Sequence, residues 1–168
     1  LKQLAAVLRE VAPDIILTHP PQDYMEDHMN TCRLAVTAAF ARGMPNYPVD
    51  PPTLPVDKQV TLYHCMPHGL QTPLRQPVQP DLYVDVGSVL TAKLDMLACH
   101  RSQKEWLDTS QGINSYLDYL EFENREMGRR SGRFDYAEGW IRHLHFGYCD
   151  EHVNPLVDDL PAEMVVQV

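Results

Sequence analysis

Asp14-Ile15-Ile16-Leu17-Thr18-His19-Pro20-Pro21-Gln22-Asp23-Tyr24-Met25-Glu26-Asp27-His28 is the stretch whose reading decides the fold. Ile15, Ile16 and Leu17 form an uninterrupted apolar run, which predicts a central strand of a parallel sheet covered on both faces. Pro20 and Pro21 cannot continue a ladder, so the chain leaves the sheet directly after His19. Asp27 reads as the N-cap of a following helix, its carboxylate accepting a free amide of the first turn. The loop thus brings Thr18, His19, Asp23, Asp27 and His28 to the carboxyl edge of the sheet, where open α/β folds usually hold their ligands.

Working outward, Leu1, Leu4, Ala5, Leu8 and Val11 repeat at helical spacing, so residues 1–11 read as an amphipathic helix ending before Pro13. The chain begins inside this element with no Met and no signal peptide, which reads as a missing N-terminal segment; the alternative is a chain complete in itself. A second helix is expected from Asp27 to about Arg42. It is followed by a Pro-rich connection (44–55), a strand over Val60–Cys65, a second Pro-rich loop (66–80) and a strand over Leu82–Val86. Both Pro-rich loops are expected to shape a pocket. Ser88 is the expected N-cap of a helix whose inner stripe runs Leu90, Leu94, Leu97 and His100. Another helix is expected from about Ile113 to Met127. Tyr136 to His145 fits helix or strand, and Ala137, Trp140, Ile141 and Leu144 fit the helix better.

The alternation predicts a Rossmann-like three-layer α/β/α sandwich with a mostly parallel sheet. Residues 1–150 form its domain and 151–168 a tail without clear period that packs against a neighbour. At 168 residues the chain is long enough to bury roughly 70% of its unfolded surface. No apolar run approaches the ~20 residues of a membrane span. A net charge of −9 disfavours nucleic acid and anionic membranes as partners. Four scattered cysteines without a CxxC pair suggest free thiols in a reducing, cytoplasmic setting.

No HExxH, GxSxG, Walker or GxGxxG pattern is present, so no common motif names the chemistry. By spacing alone, Asp27 reads as a plain cap and His28 as a hydrogen-bonded structural histidine. Two further segments change that reading: Val84-Asp85-Val86, Lys93 and Ala98-Cys99-His100-Arg101-Ser102-Gln103, and then Tyr136-Ala137-Glu138. Together with Thr18-His19 and Asp23 to His28, they resemble the signatures of the LmbE-like, or PIG-L-type, zinc-dependent de-N-acetylases, in family order from about Val11 to His145.

The resemblance implies a single zinc at the carboxyl ends of the strands, activating water against the amide of an N-acetylated sugar-type small molecule. It implies His28 as a metal ligand, with a His and an Asp from an HPDDE-type motif as the others, and a further Asp of that motif as general base. No such motif occurs in these residues, so zinc binding by the 168 residues alone is expected to be weak. Met25 stands where many members carry an oxyanion-stabilising His, and a thioether cannot donate a hydrogen bond. His19 or His100 could fill that role, although His100 also reads as a buried helix-end residue bonded to carbonyls. Asp27 completes the catalytic candidates. Tyr24 and Arg101 are the candidates for substrate contact, though Tyr24 could simply pack beside the loop and Arg101 fix the one after its helix. Glu138 reads as structural, accepting backbone N–H bonds. The family further implies a homo-oligomer. A catalytically inactive interaction or scaffold protein of the same fold is the alternative.

Overall fold

The computed structural model describes residues 1–111 and 115–168. Helix α1 (Lys2–Val11) ends where Ala12 takes a left-handed conformation ahead of Pro13. Strand β1 (Ile15–Thr18), helix α2 (Glu26–Ala41) and strand β2 (Thr61–Cys65) follow. Next come β3 (Leu82–Asp85), α3 (Leu90–Ala98), α4 (Arg101–Gln111) and α5 (Ser115–Ser131). The chain closes with β4 (Ala137–Arg142), a short α6 (Pro155–Asp158) and β5 (Val165–Gln167). Ile113, the expected start of the penultimate helix, lies outside the described residues. No helix among the described residues is long and apolar enough to cross a membrane.

The five strands form one open sheet in the order β1-β2-β4-β3-β5. β1 and β2 pair in parallel, with Ile16 opposite Leu62 and Thr18 opposite His64. The pairings of β4 with β2 and β3, and of β5 with β3, are antiparallel. The sheet is therefore mixed, and the expectation of a mostly parallel one is corrected. The cause is β4, which the sequence reading favoured as a helix. β1, β2 and β3 run in one direction, and inserting β4 turns what would be a parallel β2–β3 contact into two antiparallel ones. The tail from residue 151 ends in β5, which pairs with β3 at the edge of the sheet.

β1 is an edge strand, not a central one, and Leu17 remains 54% exposed. The covered strand is β2, whose alternate residues face different neighbours. Leu62 packs with Ala39, Val60 and Tyr148, joined by Leu8, Ile16 and Val36, under α1 and α2. Tyr63, on the other face, donates its hydroxyl to Asn154 of the C-terminal segment at 2.6 Å. A second core joins Leu70, Tyr83, Met127 and Ala137 beneath α5. There Gly139 admits Met127 so closely that a Cβ would lie 2.9 Å from its sulfur.

The first Pro-rich loop is held by a buried cation. Arg9 of α1 is 5% exposed and donates to the carbonyls of Ala41, Arg42, Met44, Tyr47 and Thr53. Arg42 donates to Ala39, Lys58, Gly147 and Tyr148, and burial lowers its pKa. Neither pairs with a carboxylate among the described residues. This loop sits at the C-terminal end of α2, about 20 Å along the helix from His28 at 1.5 Å per residue. Its first residues are thereby placed away from the candidate site.

Candidate metal site

The site is built at the carboxyl end of β1. His19 leaves the strand, the two prolines turn the chain, and Asp23 returns beneath the start of α2. Helix α2 begins at Glu26, with Met25 extended at the N-cap position, two residues before the expected cap Asp27, and with no side-chain cap. Asp27 is thus inside the first turn and exposed, and its carboxylate accepts the N–H of His28 at 3.0 Å. Its expected role as N-cap is corrected.

Asp23 is 3% exposed. Its Oδ1 accepts the Tyr24 N–H at 2.6 Å and its Oδ2 lies 3.2 Å from His28 Nδ1. No Lys or Arg pairs with it among the described residues. The rings of His19 and His28 are stacked, with centroids 4.2 Å apart and planes 10° from parallel. One ligand atom from each of His19, Asp23 and His28 lies within 4.8 Å of the others. Burial, and then the neighbouring His28, lower the His19 pKa, against the opposing pull of Asp23 and Asp27. His19 therefore favours its neutral form, the form that binds metals.

The loop is anchored from behind. His64, buried in β2, donates Nδ1–H to the His19 carbonyl at 2.8 Å, since a carbonyl can only accept. When neutral, its Nε2 must then accept from His143 Nδ1, 2.8 Å away. Burial, followed by His64, lowers the His143 pKa. Beside this anchor, Leu17, Thr18, His19, Thr31, Cys65 and Trp140 line a cleft of about 310 Å³. Thr18 Oγ1 is buried there without a hydrogen-bond partner among the described residues.

Of the candidates read from the sequence, the structure brings His19 and His28 together, with Asp27 on the adjoining turn. Tyr24 sets its ring edge-on to His28 at 5.7 Å and is 61% exposed. His100 is not on a buried stripe: it is exposed at the break between α3 and α4, because the helix stops at Ala98 and restarts at Arg101. Arg101, also exposed, is the first residue of α4. Ser88 makes no side-chain cap; Asp85 instead accepts the Gly87 N–H at 2.8 Å. Glu138 pairs with Lys93 at 2.6 Å instead of holding backbone amides, and Lys93 also reaches Asn124 at 2.7 Å. Asp23's contact with His28 escaped the sequence reading because five residues is neither a helical nor a strand spacing. All four cysteines are free. Burial raises the Cys65 thiol to about 11, too high for a nucleophile at neutral pH.

Two imidazoles able to ligate, with a buried carboxylate beside the Nδ1 of one of them, form a set of the kind that suits zinc and similar divalent ions. A carboxylate this buried calls for a compensating positive charge, and a cation beside His28 would supply it. The donor set therefore fits a metal.

The sequence matches no known protein-family profile. Several solved structures share the fold, among them the following three. N,N′-diacetylchitobiose deacetylase from Pyrococcus horikoshii superposes with a TM-score of 0.64 at 21% identity, covering 94% of this chain and 54% of its own. The conserved protein TT1542 from Thermus thermophilus gives 0.63 at 22% identity, covering 84% and 57%. GalB, the 4-carboxy-2-hydroxymuconate hydratase from Pseudomonas putida, gives 0.59 at 23% identity, covering 90% and 60%. The chain thus spans little more than half the length of the structures it matches, and at these identities the likeness is one of fold.

Proposed function

We propose that the chain is the His28-bearing part of a zinc-dependent hydrolase that removes an N-acetyl group from an amino sugar or related amide. The observation that carries this reading is the meeting of His19 and His28 at the buried Asp23 carboxylate, which pairs with no Lys or Arg among the described residues. Asp23, accepting from His28 Nδ1–H, fixes the tautomer that leaves Nε2 bare, which is how carboxylates orient metal-binding histidines. His28 would hold the ion through that atom, and His19 is the second imidazole within reach. When bound, zinc supplies Lewis acidity toward an amide carbonyl and acidifies water. His19, kept neutral by burial, is the better placed of the two expected oxyanion donors, since His100 is exposed elsewhere. Asp27, exposed beside His28, is proposed to move protons, and Tyr24 to meet the substrate. Further ligands are proposed to come from polypeptide beyond these residues, and assembly as a homo-oligomer in the cytoplasm is proposed with them.

The test is zinc content together with acetate release from N-acetylglucosamine-type substrates, measured for the complete protein and its His28→Ala variant. Loss of both in the variant supports the reading, and equal retention of both overturns it. Met25, which cannot donate to an oxyanion, motivates a second reading as an inactive interaction protein. Absence of both bound zinc and acetate release in the unaltered complete protein would favour that one.

A further inference from the structure

The rings do not stop at His28. Tyr24 leans on His68 at 5.1 Å, and His68 on Tyr119 at 4.2 Å, so an unbroken aromatic row leads away from the candidate metal site. With Leu97, Tyr116 and Glu123, these residues line a groove of about 470 Å³. Its charge is one-sided. Glu123 Oε1 accepts the Gly69 N–H at 3.0 Å, and no Lys or Arg lines the groove among the described residues. Burial and Glu123 push the Tyr119 hydroxyl up to about 12.

We propose that this groove seats the part of the substrate beyond the scissile bond and selects by charge, taking an uncharged or cationic ring with an apolar face and rejecting polycarboxylates. This rests on the hydrolase reading for its place beside His28, but the selection follows from the groove itself. Aromatic faces are electron-rich and attract C–H and ammonium groups. A carboxylate entering the groove meets those faces and Glu123 with no Lys or Arg to receive it among the described residues. The fold alone does not decide the matter, since one structural neighbour is named for a sugar amide and another for a carboxylated muconate.

The experiment titrates the complete protein, with EDTA present, against N,N′-diacetylchitobiose, its diamine chitobiose, and benzene-1,3,5-tricarboxylate. Calorimetry reads affinity, and the His68 ring signals in NMR read location. Both sugars are expected to bind and shift His68, the diamine more tightly, and the tricarboxylate about tenfold or more weaker than either. Tyr119→Ala is expected to weaken both sugars about fivefold, and Glu123→Gln to narrow the diamine's advantage about threefold. Equal or tighter binding of the tricarboxylate, sugar binding that leaves His68 unshifted, or no sugar binding would overturn the proposal. Because EDTA removes metal during the titration, sugar binding by a complete protein that takes up no zinc when EDTA is left out would fail the hydrolase reading alone. Zinc uptake without sugar binding would fail the groove alone.

Discussion

The two ends of α2 treat buried charge in opposite ways. At the C-terminal end, Arg9 and Arg42 are enclosed by main-chain carbonyls, and their donors are spent on the loops they hold. At the N-terminal end, the Asp23 carboxylate is as deeply buried, yet its only side-chain partner among the described residues is an imidazole that carries no permanent charge. The partial charges of the helix ends favour both, the arginines at the C-terminus and Asp23 at the N-terminus. But the arginines also spend their donors on carbonyls, while Asp23 has one amide and the His28 ring. The N-terminal end is left wanting a cation and has two imidazole rings beside it. A buried charge fully enclosed by its own chain reads as architecture. A comparable charge left short of a counterion, at the edge of a sheet, reads as a site.

Substitutions at the two ends should therefore fail differently. Arg9→Met leaves several buried carbonyls unsatisfied and should cost about 3 kcal/mol or more of stability in urea denaturation, with zinc affinity per folded molecule unchanged. A change in zinc affinity equal to that of the site variants would erase the distinction. Asp23→Asn should act in reverse, lowering zinc affinity about tenfold or more while stability changes less than in Arg9→Met. Lys93→Met, which strands Glu138 but leaves it partly exposed, should cost about 1 kcal/mol in the same denaturation assay and leave zinc affinity alone.

The smallest expected effect is on pH. His19 and His143 both have folded pKa values below the ordinary 6.5. As pH falls through 6.5, the unfolded chain takes up these protons before the folded one does. Stability present above that value should decline on acidification until the lowered folded values are reached. Urea midpoints at about pH 7.5 and about pH 5.5 test the sign, and the decline should shrink in His143→Gln.

The sequence carried the helices of the first half and the strands β1, β2 and β3, because their apolar runs and turns are local. It did not carry β4. There Ala137 and Gly139, the residues facing α5, are too small to mark an alternating face, while Trp140, Ile141 and Leu144 imitate a helical one. That one misreading also produced the expectation of a parallel sheet. β5 is three residues long and depends on a partner some eighty positions away, so no period could announce it. At the site, His19 and His28 were legible from the strand–proline–helix pattern. Asp23's contact with His28, the His64 anchor and His68 were not, because each depends on chain segments meeting in space.

The most direct measurement is the nitrogen-15 spectrum of the His28 ring before and after zinc. The account predicts that Nε2 shifts to a metal-bound value while Nδ1 keeps its proton, shared with Asp23, and that Asp23→Asn weakens this response. A His28 ring whose two nitrogens are unchanged at saturating zinc would contradict it.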